Sequence, residues 1–198
     1  LSNQKEVGLA IRHYEGTYGK FPPGRIGCDD SGDSTAIAVC PPGLAPAKKT
    51  AASGFVAILP QIEEQALYDE LAVEEGGLWN RNVDDLGWYY YDRGKNAAVK
   101  RRIEVFICPS DPSEPISDVY HPVYSATSNY AFVQGTLGPG ADGVEGKYAN
   151  NGLFLYVVRR RSSQVEDGLS KTLMIGEVVL TNTWESSNIW SYALANAD

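Results

Sequence analysis

Leu1-Ser-Asn-Gln-Lys-Glu-Val-Gly-Leu-Ala-Ile-Arg-His-Tyr-Glu-Gly-Thr-Tyr18 runs without a proline into Gly19-Lys-Phe-Pro-Pro-Gly24. Val7, Ile11, Tyr14 and Tyr18 recur at i, i+4, i+7 and i+11, with Ala10 beside them. That is one apolar stripe of a helical period, and it predicts burial of these side chains. Lys5, Arg12, His13 and Glu15 fall off the stripe. The helix has a strong stop, because Gly19 suits a left-handed cap and two prolines follow. Its start is weak: Ser2 offers a cap, but no proline and no acidic first turn supports it. A strong end with a weak beginning reads as the lower half of a longer helix. A long N-terminal helix carrying a globular head is the layout of a filament subunit.

Beyond this helix, residues 19–54 are rich in Gly, Pro and Asp and read as loop. Pro60 fits a first helical position, and Gln61 to Ala72 has no breaker, which predicts a second helix. Ile58, Leu59, Ile62 and Ala66 share one of its faces, and Leu67 and Leu71 lie nearly opposite. Such a helix is expected to be sandwiched. Residues 76–94 read as a loop with an aromatic cluster, and 95–102 as a short basic helix. Strand signals begin at 103. They are Val105 to Ile107, an alternation from Ser128 to Gln134, and two near-continuous apolar runs, Leu153 to Val158 and Leu173 to Leu180. Helices first and strands later predict an α+β fold, with the first helix packed on an antiparallel sheet, long loops and a second helix. The expected organisation is a single head over 1–198. Residues 1–18 are the C-terminal half of a long helix, 19–102 a loop and helical insertion, and 103–198 the sheet.

The 198 residues carry a net charge of −8, which argues against a nucleic-acid footprint. Two short basic runs, Lys100-Arg-Arg102 and Arg159-Arg-Arg161, read either as solvated surface or as a docking patch for an acidic neighbour. In a homopolymer that neighbour is another copy of the chain. No run approaches the ~20 apolar residues of a membrane span. No CxxC occurs, and with only two histidines a Cys/His zinc site is poorly supported. Cys28 and Cys40 bracket an acidic loop without a core pattern. A disulfide closing it, in an oxidising compartment, is the economical reading, and two unpaired buried thiols are the other. Cys108 is left over.

Asp29, Asp30 and Asp33 crowd that loop as a calcium candidate, set against a solvated acidic turn. No other cofactor is indicated. Glu177 interrupts an apolar run and, if buried, needs a partner. Gly138 to Gly143 matches GxGxxG formally, but without the strand and helix that a dinucleotide site requires. His13 and His121 have no recognisable nucleophile, so no enzyme is expected. Trp79, Trp88, Tyr89, Tyr90 and Tyr91 offer an aromatic platform for a solute or glycan, the rival reading to a filament subunit.

Four segments carry a resemblance. They are Val7 to Tyr14 with Thr17 to Gly24; Ile58-Leu-Pro-Gln-Ile-Glu-Glu-Gln-Ala-Leu-Tyr68; Phe106-Ile-Cys-Pro-Ser-Asp111; and Val165-Glu-Asp-Gly-Leu-Ser-Lys-Thr-Leu-Met-Ile-Gly-Glu177. In this order, over most of the chain, they resemble a large bacterial family of pilin-like proteins. That family has long been labelled a domain of unknown function and sometimes a solute-binding protein. The resemblance implies a basic leader cut by a prepilin peptidase and a hydrophobic helix upstream of Leu1. It also implies an upstream cysteine as a partner for Cys108, and a His…Asp-Gly motif beyond Asp198. It implies a pilin or pseudopilin head: extracytoplasmic, membrane-anchored before assembly, and joined to its copies through the upstream helix with the help of assembly machinery.

Overall fold

Helix α1 (Ser2–Tyr18) buries Val7, Ala10, Ile11 and Tyr14 along one face. The computed structural model describes residues 2–27, 50–75, 78–79, 95–120, 123–137, 150–179 and 188–193. α1 ends as its composition dictates. Gly19 takes φ 69°, and its N–H returns to the Glu15 carbonyl at 2.7 Å. Tyr18 corrects the expected stripe, for it is 56% exposed. The helical period continues to it, but the core does not, because Phe21 behind the cap fills that end instead. The Tyr18 ring leans on Tyr14 with centroids 4.5 Å apart.

Ser53 caps α2 (Gly54–Ala57) by accepting the Phe55 N–H, and a 3-10 turn, Leu59–Ile62, follows with Pro60 in its first positions. The expected helix from 61 to 72 is broken. Glu63 sits at φ 66°, and α3 (Gln65–Leu71) starts afresh after it. This left-handed residue redirects the chain, so Leu67 and Leu71 enter the same core as Ile58 and Leu59. The two opposed faces of a straight helix become one, and Ala66 is left exposed. α4 (Asn96–Val99) is a single turn, with Ala98 and Val99 buried.

Two two-stranded antiparallel sheets complete an α+β fold. β1 (Ile116–Tyr120) pairs with β2 (Val123–Ala126), from Ile116 opposite Ala126 to Tyr120 opposite Val123. β3 (Tyr130–Phe132) pairs with β4 (Ile175–Glu177), with Ala131 opposite Gly176. Several expected strands are shorter or absent. Glu104–Phe106 is a 3-10 turn. Leu153 to Tyr156 is buried but forms isolated bridges, with Tyr156 beside Arg25 and Phe154 opposite Arg159. The run ends at Val157, which has φ 62° and lies exposed with Val158. Leu173 and Val179 flank β4 in solvent, so that strand is not covered on both faces.

α1 therefore rests on the two 3-10 turns, 59–62 and 104–106, more than on a sheet. The core behind it is organised by a row of aromatic rings. Phe21 meets Phe154 edge-on, Phe154 stacks on Phe132, Phe132 on Phe55, Phe55 abuts Phe106, and Phe106 reaches Trp190. Backbones approach closely around this row. A Cβ on Gly54 would stand 2.0 Å from the Pro23 carbonyl oxygen.

Candidate functional site

The polar architecture beneath α1 centres on Asn129, which precedes β3. Its Oδ1 accepts the Cys108 N–H at 2.8 Å, and its Nδ2 donates to Asp111 Oδ2 and to the Val178 carbonyl. Its backbone donates to Phe106 O and accepts from Val178 N. Asp111 closes a turn on Cys108 and accepts the Ser113 N–H. Next to it, Ser128 Oγ accepts the Tyr130 N–H, while Asn188 Nδ2 donates to the carbonyls of Ser128 and Tyr130. The Asn129 amide thus ties the Cys-Pro-Ser-Asp segment to the residue before β3 and to the end of β4, and Asn188 binds the carbonyls on either side of it. These are obligatory partners for backbone groups that have lost water. Asn3 does the same for α1: its Nδ2 donates to the carbonyls of Glu104 and Ile107 at 2.9 and 2.7 Å. Sequence reasoning missed Asn3, Ser128, Asn129 and Asn188. The available signal was a set of small amides and hydroxyls beside apolar strand residues.

At the other end of α1, three phenols gather. Tyr14 and Tyr68 have pKa values raised by burial. Arg159 opposes the rise at both, while Tyr18 and Glu74 reinforce it. Burial likewise raises Tyr130, with smaller contributions from Cys108 and Glu177. The thiol of Cys108 is buried and free among the described residues.

Beside the N-terminal half of α1 lies an open groove of about 430 Å³. Ile62, Ile103, Val105 and Ile107 contribute apolar surface, Glu6, Glu64 and Glu104 contribute carboxylates, and Arg102 contributes one guanidinium. The outer face of α1 is solvated, with Lys5, Glu6, Arg12, His13 and Thr17 exposed and Leu9 58% exposed among them. Arg12 pairs with Glu15 at 3.3 Å and lies over the Phe21 ring.

The basic run at 100–102 is satisfied within the chain. Arg101 pairs with Glu70 at 2.8 Å, Arg102 with Glu104 at 3.0 Å, and Lys100 lies over Tyr124. In the second run, Arg160 donates to the Asn150 carbonyl at 2.7 Å while Arg159 and Arg161 are exposed.

Trp79 corrects the expected aromatic platform. It is 1% exposed, its indole N–H donates to Ser191 Oγ at 3.0 Å, and its ring stacks on Tyr192. A large indole with an internal acceptor is core, not surface. Trp88, Tyr89, Tyr90 and Tyr91 lie outside the described residues, as do Asp29, Asp30, Asp33, Cys28, Cys40 and His121. Glu177 is exposed at the end of β4, so its carboxylate needs no buried partner. Among the described residues no cluster of three or more His, Cys, Asp or Glu forms a metal site, and no helix is long and apolar enough to cross a membrane.

These features define an α+β fold with a half-embedded first helix, cross-tied by side-chain amides. The chain belongs to the family described as protein of unknown function (DUF1559), SBP_bac_10, whose model matches residues 2–197. No curated protein and no solved structure matches it.

Proposed function

We propose that this chain is the head of a non-enzymatic structural subunit of an extracytoplasmic filament, of the type IV pilus or type II secretion pseudopilus kind. The observation that carries the reading is the seating of α1. The helix is 17 residues long, its apolar face is sunk into the head, and Asn3 fastens its first turn to two carbonyls. A helix held in this way is a stiff stem that transmits position from one end to the other. In the proposed subunit the stem continues upstream as an apolar helix. That helix would anchor the protein in membrane and then bundle with its copies, hiding ~20 apolar residues from water in either state. Copies of the chain and an assembly machine are its partners, and the cell surface its location. The burial of Trp79 weighs against the rival glycan platform.

Fractionation and electron microscopy of the protein from its native cells test the proposal. Membrane association before assembly and thin surface fibres labelled by antibody are expected. A freely secreted protein with no apolar N-terminal helix would overturn it.

A further inference from the structure

We infer that the groove beside the N-terminal half of α1 seats the exposed arginines of a second copy of this chain. This deepens the filament reading and rests on it for the choice of a second copy as occupant. The groove joins apolar surface to a rim of three carboxylates and one guanidinium, that of Arg102. Glu104 is engaged by Arg102, but Glu6 and Glu64 carry no ion pair among the described residues. The matching cations are on the same chain. Arg159 and Arg161 are both exposed, and neither guanidinium has a carboxylate partner among the described residues. Arg160 between them turns inward to Asn150. Alternate residues of an extended segment project to one side, so Arg159 and Arg161 form a two-pronged ridge. Guanidinium forks suit carboxylate recognition, and their stems cover apolar surface. The other basic run is already satisfied within the chain and does not compete.

Position decides the geometry. The groove meets α1 at Asn3 and Glu6. The ridge lies at the opposite end, where Arg159 acts on Tyr14 and the Arg160 carbonyl accepts the Phe21 N–H. At 1.5 Å per residue, Glu6 and Tyr14 are roughly 12 Å apart along the helix. Two different patches at opposite ends make a heterologous contact, which repeats from copy to copy as a row.

Charge exchange tests the contact in solution. One variant reverses the ridge (Arg159→Glu with Arg161→Glu), and the other reverses the two groove carboxylates that carry no ion pair among the described residues (Glu6→Lys with Glu64→Lys). Two reversals are too few to overturn a net charge of −8, so both variants stay negative and general attraction cannot bring them together. Circular dichroism checks that each is folded. The sedimentation coefficient of the unsubstituted chain is expected to rise with concentration beyond that of a dimer. Each variant alone should lose that rise, and an equimolar mixture should recover it. The inference is overturned if the unsubstituted chain stays monomeric or stops at a dimer, if either variant alone still associates, or if the mixture does not recover. Heads that fail this test while native fibres exist would leave the filament reading standing. Heads that pass it while the native protein is freely secreted would remove the filament and keep the contact.

Discussion

Ile11 has no exposed surface and stands at the centre of the α1 contact. Truncating it to Ala should lower stability by about 2–5 kcal/mol, since the helix leaves a cavity that its neighbours fill only partly. An Ile11→Ala midpoint in urea equal to that of the unsubstituted chain would show that α1 does not depend on this face. Asn129 is a different kind of residue, important for what it satisfies more than for its volume. Asn129→Ala leaves the Cys108 N–H and the Val178 carbonyl without their amide partner. A loss of about 1–3 kcal/mol is expected, with faster hydrogen exchange at Cys108. Unchanged exchange there would remove Asn129 from its linking role. Tyr14 and Tyr68 give a pH signature. Burial disfavours the phenolate, so the folded chain holds these protons above the ordinary value of 10.0. Their contribution to stability is complete below that pH and is lost as pH rises beyond it, because the unfolded chain releases its protons first. The fall in urea midpoint above pH 10 should be shallower in Tyr14→Phe. A fall of equal steepness would exclude Tyr14 as its source.

Among the elements, α1 was the most legible, because its stripe repeats at one period and Gly19 with two prolines marks its end. The same reading overran at Tyr18, since periodicity reports a helix face and not where the core beneath it stops. The break at Glu63 left no comparable mark. No glycine stands there, and the left-handed turn is imposed by packing Leu67 and Leu71 against the rest of the core. Leu153 to Tyr156 was legible as buried but not as a partner of Arg25, because that bridge joins residues distant in sequence. The Asn129 ties were invisible for the same reason. Two glycine substitutions follow from the elements themselves. A Cβ at Gly8 meets nothing within 4 Å, so Gly8→Ala should stabilise α1 by about 0.5–1 kcal/mol. Gly54→Ala puts a methyl onto the Pro23 carbonyl and should cost at least the upper end of about 1–3 kcal/mol. Thermal melts of the two variants should therefore move in opposite directions. A shift in the same direction would mean that the close approach at Gly54 relaxes freely.

At the scale of the molecule, the aromatic row from Phe21 to Trp190 joins segments that the sequence order keeps apart. Trp190 holds its end of the row by three routes: its ring reaches Phe106, its indole N–H donates to Arg101 O at 3.2 Å, and its carbonyl accepts from Ser53 Oγ. Ala51 and Ala193 add a backbone bond beside it. The contacts that close the core are thus between residues made early and residues made late. Growing from its N-terminus, the chain holds α1, the Ser53 cap and both two-stranded sheets before it holds the tryptophan that locks them together. It should therefore remain open to proteases until residue 190 is available, and then close cooperatively.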